Sequence, residues 1–156
     1  KGLSGGIYPI AATLLSEAMG AWLEDDGWGH ISTFGGSEVG CCVASTVLDI
    51  TMNPVTVARA AIVAAKWSEG LADLAERYPD WIAEVRQTGL VIGLRMHQEM
   101  DGMMMTRLLF DQGVWAMFAG FDRSVLQIKP GLLMDDATIV EALASFGRAC
   151  ATAASW

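Results

Sequence analysis

The sequence begins with KGLSGGIYPIAA (residues 1–12), in which a lysine precedes a glycine-rich turn and a short apolar run. An ordinary lysine has a pKa of about 10.4, so it becomes a nucleophile at neutral pH only where the protein removes its ammonium group from water. Glycines beside it let the backbone and a bound group approach closely. Taken alone, this pattern is typical of a surface lysine before a turn, and its meaning depends on the rest of the chain.

A second glycine turn occurs in HISTFGG (residues 30–36), directly before a segment with helical spacing that begins at Ser37. The first turn of a helix offers free backbone N–H groups and the positive end of the helix dipole, and both favour phosphate. Thr33 and the backbone around Gly35 and Gly36 are therefore candidate phosphate ligands. The alternative interpretation is that Thr33 only caps the helix.

A third segment, VLQIKPGL (residues 125–132), has the pattern of a strand that ends at a proline turn. Gln127 and Lys129 are two residues apart, so their side chains are expected on the same face of that strand.

The three segments, in this order and at this spacing, resemble the class-III aminotransferases, which use pyridoxal phosphate (PLP). The first resembles the segment that starts at the family's Schiff-base lysine, the second its Ser-Thr-aromatic-Gly-Gly turn, and the third its late strand and proline turn. The resemblance covers essentially the whole chain and implies an α/β protein of PLP-dependent fold type I. It also implies missing upstream sequence, which in the family carries the aromatic residue stacked on PLP, the acidic partner of the pyridine nitrogen and the main phosphate loop.

The resemblance implies roles for individual residues. Lys1 would hold PLP as a Schiff base and, once substrate displaces it, would move a proton at the substrate α-carbon. PLP would serve as the electron sink. Thr33, with Ser32 and Gly35, would bind the phosphate of the cofactor in the neighbouring subunit, which implies a homodimer with shared active sites.

The sequence departs from the family pattern at two places. Ser37 and Glu38 stand where the commonest continuation is Asn-Pro, although a serine can still cap the helix. Gln127 stands where the late strand commonly has an arginine that binds a substrate carboxylate. Gln127 is the candidate substrate-binding residue, and its neutral amide favours an amino donor without an adjacent carboxylate, unless Lys129 supplies the missing charge.

Composition limits the partners that the chain is expected to have. The 156 residues carry a net charge of −8, and the pI is about 4.5, so nucleic acid is not expected because an acidic chain repels its phosphates. Apolar residues make up 53%, yet no run approaches the roughly 18–20 apolar residues that cross a bilayer, so no membrane is expected. Surfaces buried against missing chain or a second subunit explain the apolar excess better.

Cysteines and histidines are few. Cys41, Cys42 and Cys150 form an odd set with two adjacent members, which argues against a disulfide framework and indicates reduced, buried thiols in a cytoplasmic protein. His30 and His97 are too isolated to act as ligands, so no metal site is expected.

Hydrophobic periodicity predicts the order of elements and a domain boundary near Asn53. Before it we expect a buried strand over 7–15, a short helix over 16–24 capped by Ser16, and a helix over 37–52 that is packed on both sides. After it we expect helices over 54–77, 101–112 and from Asp135 or Asp136 to about 153, and strands over 81–86, 90–96, 114–118 and 125–128. Residues 1–53 would be the end of the large cofactor-binding domain, and residues 54–156 the small C-terminal α+β domain.

Three functions remain open at this point. The first is transfer of an amino group from an amine or amino acid to a keto or aldehyde acceptor, with small-molecule amines and keto acids as partners. The second is a PLP-dependent lyase, decarboxylase or aminomutase, which would use the same lysine. The third is a non-catalytic interaction module whose apolar faces bind a partner.

Overall fold

The computed structural model describes residues 2–155 of the chain. Lys1, the predicted Schiff-base lysine, lies outside the described residues. The chain divides into two compact units at the junction between Asn53 and Pro54.

The first unit contains the helices α1 (Glu17–Gly20), α2 (Trp22–Asp25) and α3 (Glu38–Thr51). Ser16 caps α1 by accepting a hydrogen bond from the backbone N–H of Met19, as predicted. The strand predicted over residues 7–15 is wrong, because this segment has no regular structure. Its residues are apolar, as in a buried strand, but the described part of the first unit contains no strand with which it could form a sheet.

Helix α3 begins where the sequence predicts. The hydroxyl of Ser37 accepts a hydrogen bond from the backbone N–H of Gly40 at 3.4 Å and thereby caps the helix. The prediction that α3 is packed on both sides is wrong for the residues that the structure describes. Only Gly40 and Ala44 are buried in α3, while Leu48 and Ile50 are exposed.

The second unit is built around a four-stranded antiparallel sheet with the strand order β1-β2-β4-β3. Its elements in chain order are α4 (Pro54–Arg77), β1 (Ile82–Thr88), β2 (Val91–Met96), α5 (Asp101–Asp111), β3 (Met117–Phe118), β4 (Val125–Ile128) and α6 (Asp136–Ala153). Gly89 makes the tight turn between β1 and β2 at a φ of +57°, where a residue with a side chain would be strained. The predicted elements are all present, although the strand expected over 114–118 shortens to two residues.

The core of the second unit joins one face of the sheet to α4, α5 and α6. The register pairs Ile92 with Ile128 and Leu94 with Leu126, and all four side chains are buried on this face. Trp67 of α4 packs edge to face against Phe146 of α6, with 5.8 Å between the ring centroids. The opposite face of the sheet, which we call the open face, carries the alternate residues of the strands.

An ionic cluster ties α4 to the start of α6. Arg59 donates to Asp136 at 2.8 Å and also to the carbonyl of Met134, and Lys66 contacts Asp136 at 2.5 Å. Hydrogen bonds from Lys66 and Arg59 hold the pKa of Asp136 below its usual value. Asp135 caps α6 by accepting the N–H of Thr138 at 2.8 Å, as the sequence predicts.

Gly102, in the first turn of α5, provides a stability prediction for the second unit. A Cβ at this position would lie 2.2 Å from the carbonyl oxygen of Arg123 and 3.1 Å from the carbonyl carbon of Ser124. Because both obstacles are backbone atoms, no side-chain rotation relieves the clash. We expect Gly102→Ala to lower the free energy of unfolding by about 1–3 kcal/mol, although alanine is by itself the better helix former.

Denaturant unfolding of the intact protein measures this effect. The matched control is Gly131→Ala, because a Cβ at Gly131 meets no heavy atom within 4 Å. A Gly102→Ala protein as stable as this control would contradict the prediction.

Candidate active site

The loop that follows Lys1, residues 2–8, lies against α3. Gly5 and Gly6 have φ angles of +60° and +80°, a backbone conformation that favours glycine. A Cβ at Gly5 would lie 3.4 Å from Cγ2 of Val47 in α3, and Ser4 in the same loop is only 2% exposed. The glycines that the sequence places after Lys1 therefore shape this loop and allow it to approach the helix.

Tyr8, at the end of this loop, packs on the first turn of α3. A Cβ at Gly40 would lie 3.0 Å from Cε1 and 3.2 Å from Cδ1 of Tyr8, so the ring lies over the Gly40 backbone. The Tyr8 hydroxyl is 3.5 Å from Oγ of Ser37, the cap of α3. The sequence analysis missed both Tyr8 and Gly40. The available signal was Gly40 and Ala44, two small residues one helical turn apart, which favour close approach of another segment.

The turn formed by residues 32–36 leads into α3 and depends on both of its glycines. Gly36 has a φ of +67°, and a Cβ at Gly35 would lie 2.8 Å from Cβ of Ser32. Thr33 is exposed, and its side chain makes no hydrogen bond to any residue from 2 to 155. Because Ser37 caps α3, the interpretation that Thr33 only caps the helix is wrong. The Thr33 hydroxyl is available to bind an acceptor such as a phosphate oxygen.

Gln127 lies on β4, and its amide is bonded at both ends within the chain. Its Nε2 donates to the carbonyl of Phe118 at 3.3 Å, and its Oε1 accepts a hydrogen bond from Nζ of Lys129 at 2.7 Å. Lys129 forms no ion pair with any described residue. Lys129 is therefore the positively charged side chain next to Gln127 that no described carboxylate engages.

Two arginines share the open face of the sheet with Gln127. The register places Arg86 opposite Gly93, and Gly93 opposite Gln127. Arg86 contacts Glu84 at 2.8 Å, and Arg95 contacts the same carboxylate at 3.1 Å. The hydrogen bonds from Arg86 and Arg95 lower the pKa of Glu84. Both guanidinium groups are thus engaged with a carboxylate, unlike Lys129.

A small, largely apolar cavity of about 150 Å³ borders Gln127 and Lys129 in the second unit. Its other walls include Trp67, Phe146 and Ala116. The indole N–H of Trp67 is buried and has no hydrogen-bond partner among the described residues.

Residues 2–155 contain three cysteines and two histidines. No group of three or more His, Cys, Asp or Glu side chains in this range could hold a metal ion. No single helix in it is long and apolar enough to cross a membrane, and α3 and α4 meet that test only when taken together.

Cys150 is buried, and this burial raises the pKa of its thiol to about 11. Cys41 and Cys42 are exposed, so the prediction of buried thiols is wrong for these two.

Comparison with known proteins gives a consistent result. Residues 1–150 match the family model "Aminotransferase class-III". An uncharacterized aminotransferase of Archaeoglobus fulgidus is 38% identical over 136 residues, which cover 87% of this chain and 32% of that protein. An acetylornithine aminotransferase of Mesorhizobium japonicum is 32% identical over 143 residues, which cover 92% of this chain and 34% of that protein.

A solved structure extends the comparison to three dimensions. The ornithine aminotransferase of Toxoplasma gondii, crystallised with partial occupancy of PLP at its active site, matches with a TM-score of 0.83 at 22% identity. The match covers 99% of this chain and 36% of that one. The chain therefore spans about a third of the length of the curated relatives that it matches.

Proposed function

Because this chain belongs to the class-III aminotransferase family, we propose that the whole protein transfers an amino group from an amine or amino acid to a keto or aldehyde acceptor. The observation that carries the proposal is the family match over residues 1–150, which contain both Lys1 and the Thr33 turn. The expected α/β fold of the PLP-dependent aminotransferases is confirmed by the likeness to the solved enzyme. The names of the relatives favour amino transfer over lyase, decarboxylase or aminomutase chemistry.

The cofactor proposed for this site is PLP, which supplies an electron sink for the negative charge that develops at the substrate α-carbon. Lys1 would hold the cofactor covalently and, when released, would take up and return the proton at that carbon. The described residues fit a phosphate-bearing group at the Thr33 turn. Thr33 offers a hydroxyl that no residue from 2 to 155 engages, Gly35 and Gly36 keep the turn free of side chains, and the 14-residue helix α3 begins beside it.

We propose a homodimer with shared active sites, in which Thr33, Ser32 and Gly35 bind the phosphate of the partner's cofactor. Support comes from the first unit, where large apolar side chains remain exposed in the described residues, among them Ile31, Phe34 and Ile50. Such surfaces mark contacts with other protein, here with the N-terminal remainder of the enzyme and with the second subunit. A cytoplasmic location remains a prediction.

Activity assays with the intact protein test the proposed reaction directly. The purified protein, saturated with PLP, is given an amine donor and a keto acid, and both products are measured. We expect the amino acid and the carbonyl product to appear in equal amounts. Release of ammonia or carbon dioxide without amino transfer would instead indicate the lyase or decarboxylase chemistry.

Thr33→Ala is expected to weaken PLP binding by the intact protein about ten-fold or more. Hydrogen bonds to charged groups contribute roughly 1.5–3 kcal/mol, and about 1.4 kcal/mol corresponds to a factor of ten. Spectrophotometric titration of the apoprotein with PLP gives the Kd. The matched control is Thr46→Ala in α3, the helix that follows the Thr33 turn, because the Thr46 hydroxyl only donates to the Cys42 carbonyl at 2.9 Å. Equal PLP affinity in the two variants would contradict the role proposed for Thr33.

A further inference from the structure

We propose that Tyr8 and the inner face of α3, defined by Gly40, Ala44 and Val47, position the loop that follows Lys1, residues 2–8, relative to the Thr33 turn. This inference rests on the proposed roles of Lys1 and Thr33. It makes Tyr8 a positioning residue for the reaction, which acts through the loop rather than by touching the substrate.

The inner face of α3 holds the loop at two separate points. Gly40, Ala44 and Val47 follow the spacing i, i+4, i+7 and therefore lie on one side of the helix. Tyr8 contacts this side at Gly40, and Gly5 approaches it at Val47. Gly40 and Val47 are seven positions apart, which corresponds to about 10 Å along the helix axis. Two contacts this far apart fix the direction of the loop as well as its distance from the helix.

The contact at Gly40 leaves no room for a side chain. A Cβ there would lie 3.0 Å from Cε1 of Tyr8 and 3.0 Å from Oγ of Ser37. Even a methyl group must therefore displace the Tyr8 ring, the Ser37 cap, or both. Tyr8 belongs to the loop that follows Lys1, and Ser37 directly follows the turn that contains Thr33. One added methyl group would thus disturb the loop that follows Lys1, the start of α3 after the Thr33 turn, or both.

A displacement of this kind affects chemistry more than stability. Groups that react must be held within a fraction of an ångström, so a shift of a few tenths of an ångström in this loop is enough to lower the rate. The loop is short, and most of its residues are at least partly exposed, so its displacement leaves the core of the second unit unchanged.

The experiment is a double-mutant cycle in the PLP-loaded intact protein with Gly40→Ala, Tyr8→Ala and the double variant. We expect Gly40→Ala to lower kcat at least ten-fold with little change in KM, and to shift the pH titration of the cofactor absorbance band, which reports on the bond between lysine and cofactor. In the Tyr8→Ala background the same methyl group meets Oγ of Ser37 but no ring, so the loss of kcat and the shift of the titration should both be clearly smaller than in the presence of Tyr8. Tyr8→Phe should keep most of the activity, because ring packing rather than the hydroxyl holds the loop.

The control for general destabilisation is Gly102→Ala in the second unit, where a Cβ would lie 2.2 Å from the carbonyl oxygen of Arg123. This variant should melt at a lower temperature but keep the titration of the cofactor band. If Gly40→Ala has the same effect with and without the Tyr8 ring, the inference is wrong. If Gly40→Ala does not fold, Val47→Ala removes the contact at the other end, and an unchanged titration in that variant also overturns the inference.

The outcomes separate this inference from the proposed function. An active Lys1→Ala protein would refute the role of Lys1 whatever Tyr8 does. Independent effects at Tyr8 and Gly40 in an enzyme that requires Lys1 would refute only the positioning role.

Discussion

Lys1→Ala should abolish amino transfer by the intact protein and leave its fold and subunit assembly unchanged. The proposal gives Lys1 two tasks, covalent attachment of the cofactor and proton transfer at the substrate α-carbon. General acid–base catalysis alone contributes about 10²–10⁴-fold, so kcat should fall by at least about 10³-fold. Steady-state kinetics with saturating PLP measures the loss, and size-exclusion chromatography and thermal unfolding report on the fold.

A control and a chemical test accompany this variant. Lys66→Ala should keep most of the activity, because Lys66 lies in α4 and pairs with Asp136 at 2.5 Å. Borohydride reduction of the PLP-loaded protein should place the label on the peptide that contains Lys1. Near-normal turnover by Lys1→Ala, or a label on another lysine, would show that the assignment of Lys1 is wrong.

The elements that the sequence predicted well are those with strong local signals. Ser16, Ser37 and Asp135 each accept a backbone N–H at a helix start, as their residue types predict. Gly89 and Gly113 have positive φ angles at the predicted turn and helix end. These features depend on a few neighbouring residues, so a single sequence contains the information that they require.

The sequence-based predictions are wrong where the structure of a segment depends on contacts with residues far away in the sequence. The segment 7–15 has the apolar character of a strand, but no strand in the described chain pairs with it. Apolar side chains of α3 such as Leu48 and Ile50 are exposed, because no described residue packs over them. The packing of Tyr8 over Gly40 joins positions 32 residues apart, and although the small residues Gly40 and Ala44 favour close approach of another segment, the sequence does not identify Tyr8 as the residue that approaches. Similarly, the hydrogen bonds of Gln127 to Phe118 and Lys129 depend on strand register and rotamers.

Amines that lack an adjacent carboxylate should be better amino donors for the intact enzyme than the matching α-amino acids. Where the family commonly has an arginine, Gln127 offers a neutral amide that cannot grip a carboxylate with two charge-assisted hydrogen bonds. Hydrogen bonds to charged groups contribute roughly 1.5–3 kcal/mol, against about 1 kcal/mol for neutral ones, which corresponds to about ten-fold or more in binding. One N–H of its Nε2 already donates to the carbonyl of Phe118, so the amide has a single N–H left for a substrate carboxylate.

Gln127→Arg should reverse the preference and raise kcat/KM for α-amino acids by about ten-fold or more relative to amines of the same side chain. Lys129 is the competing source of charge, since it contacts Gln127 at 2.7 Å and forms no ion pair with the described residues. A panel of phenylalanine against 2-phenylethylamine, and further pairs of this kind, gives the ratio for the unmodified enzyme, Gln127→Arg and Lys129→Ala. If common α-amino acids exceed their matched amines by about a hundred-fold in the unmodified enzyme, the inference from Gln127 is wrong. A selective loss of the α-amino acids in Lys129→Ala would then identify the lysine ammonium as the group that holds the carboxylate.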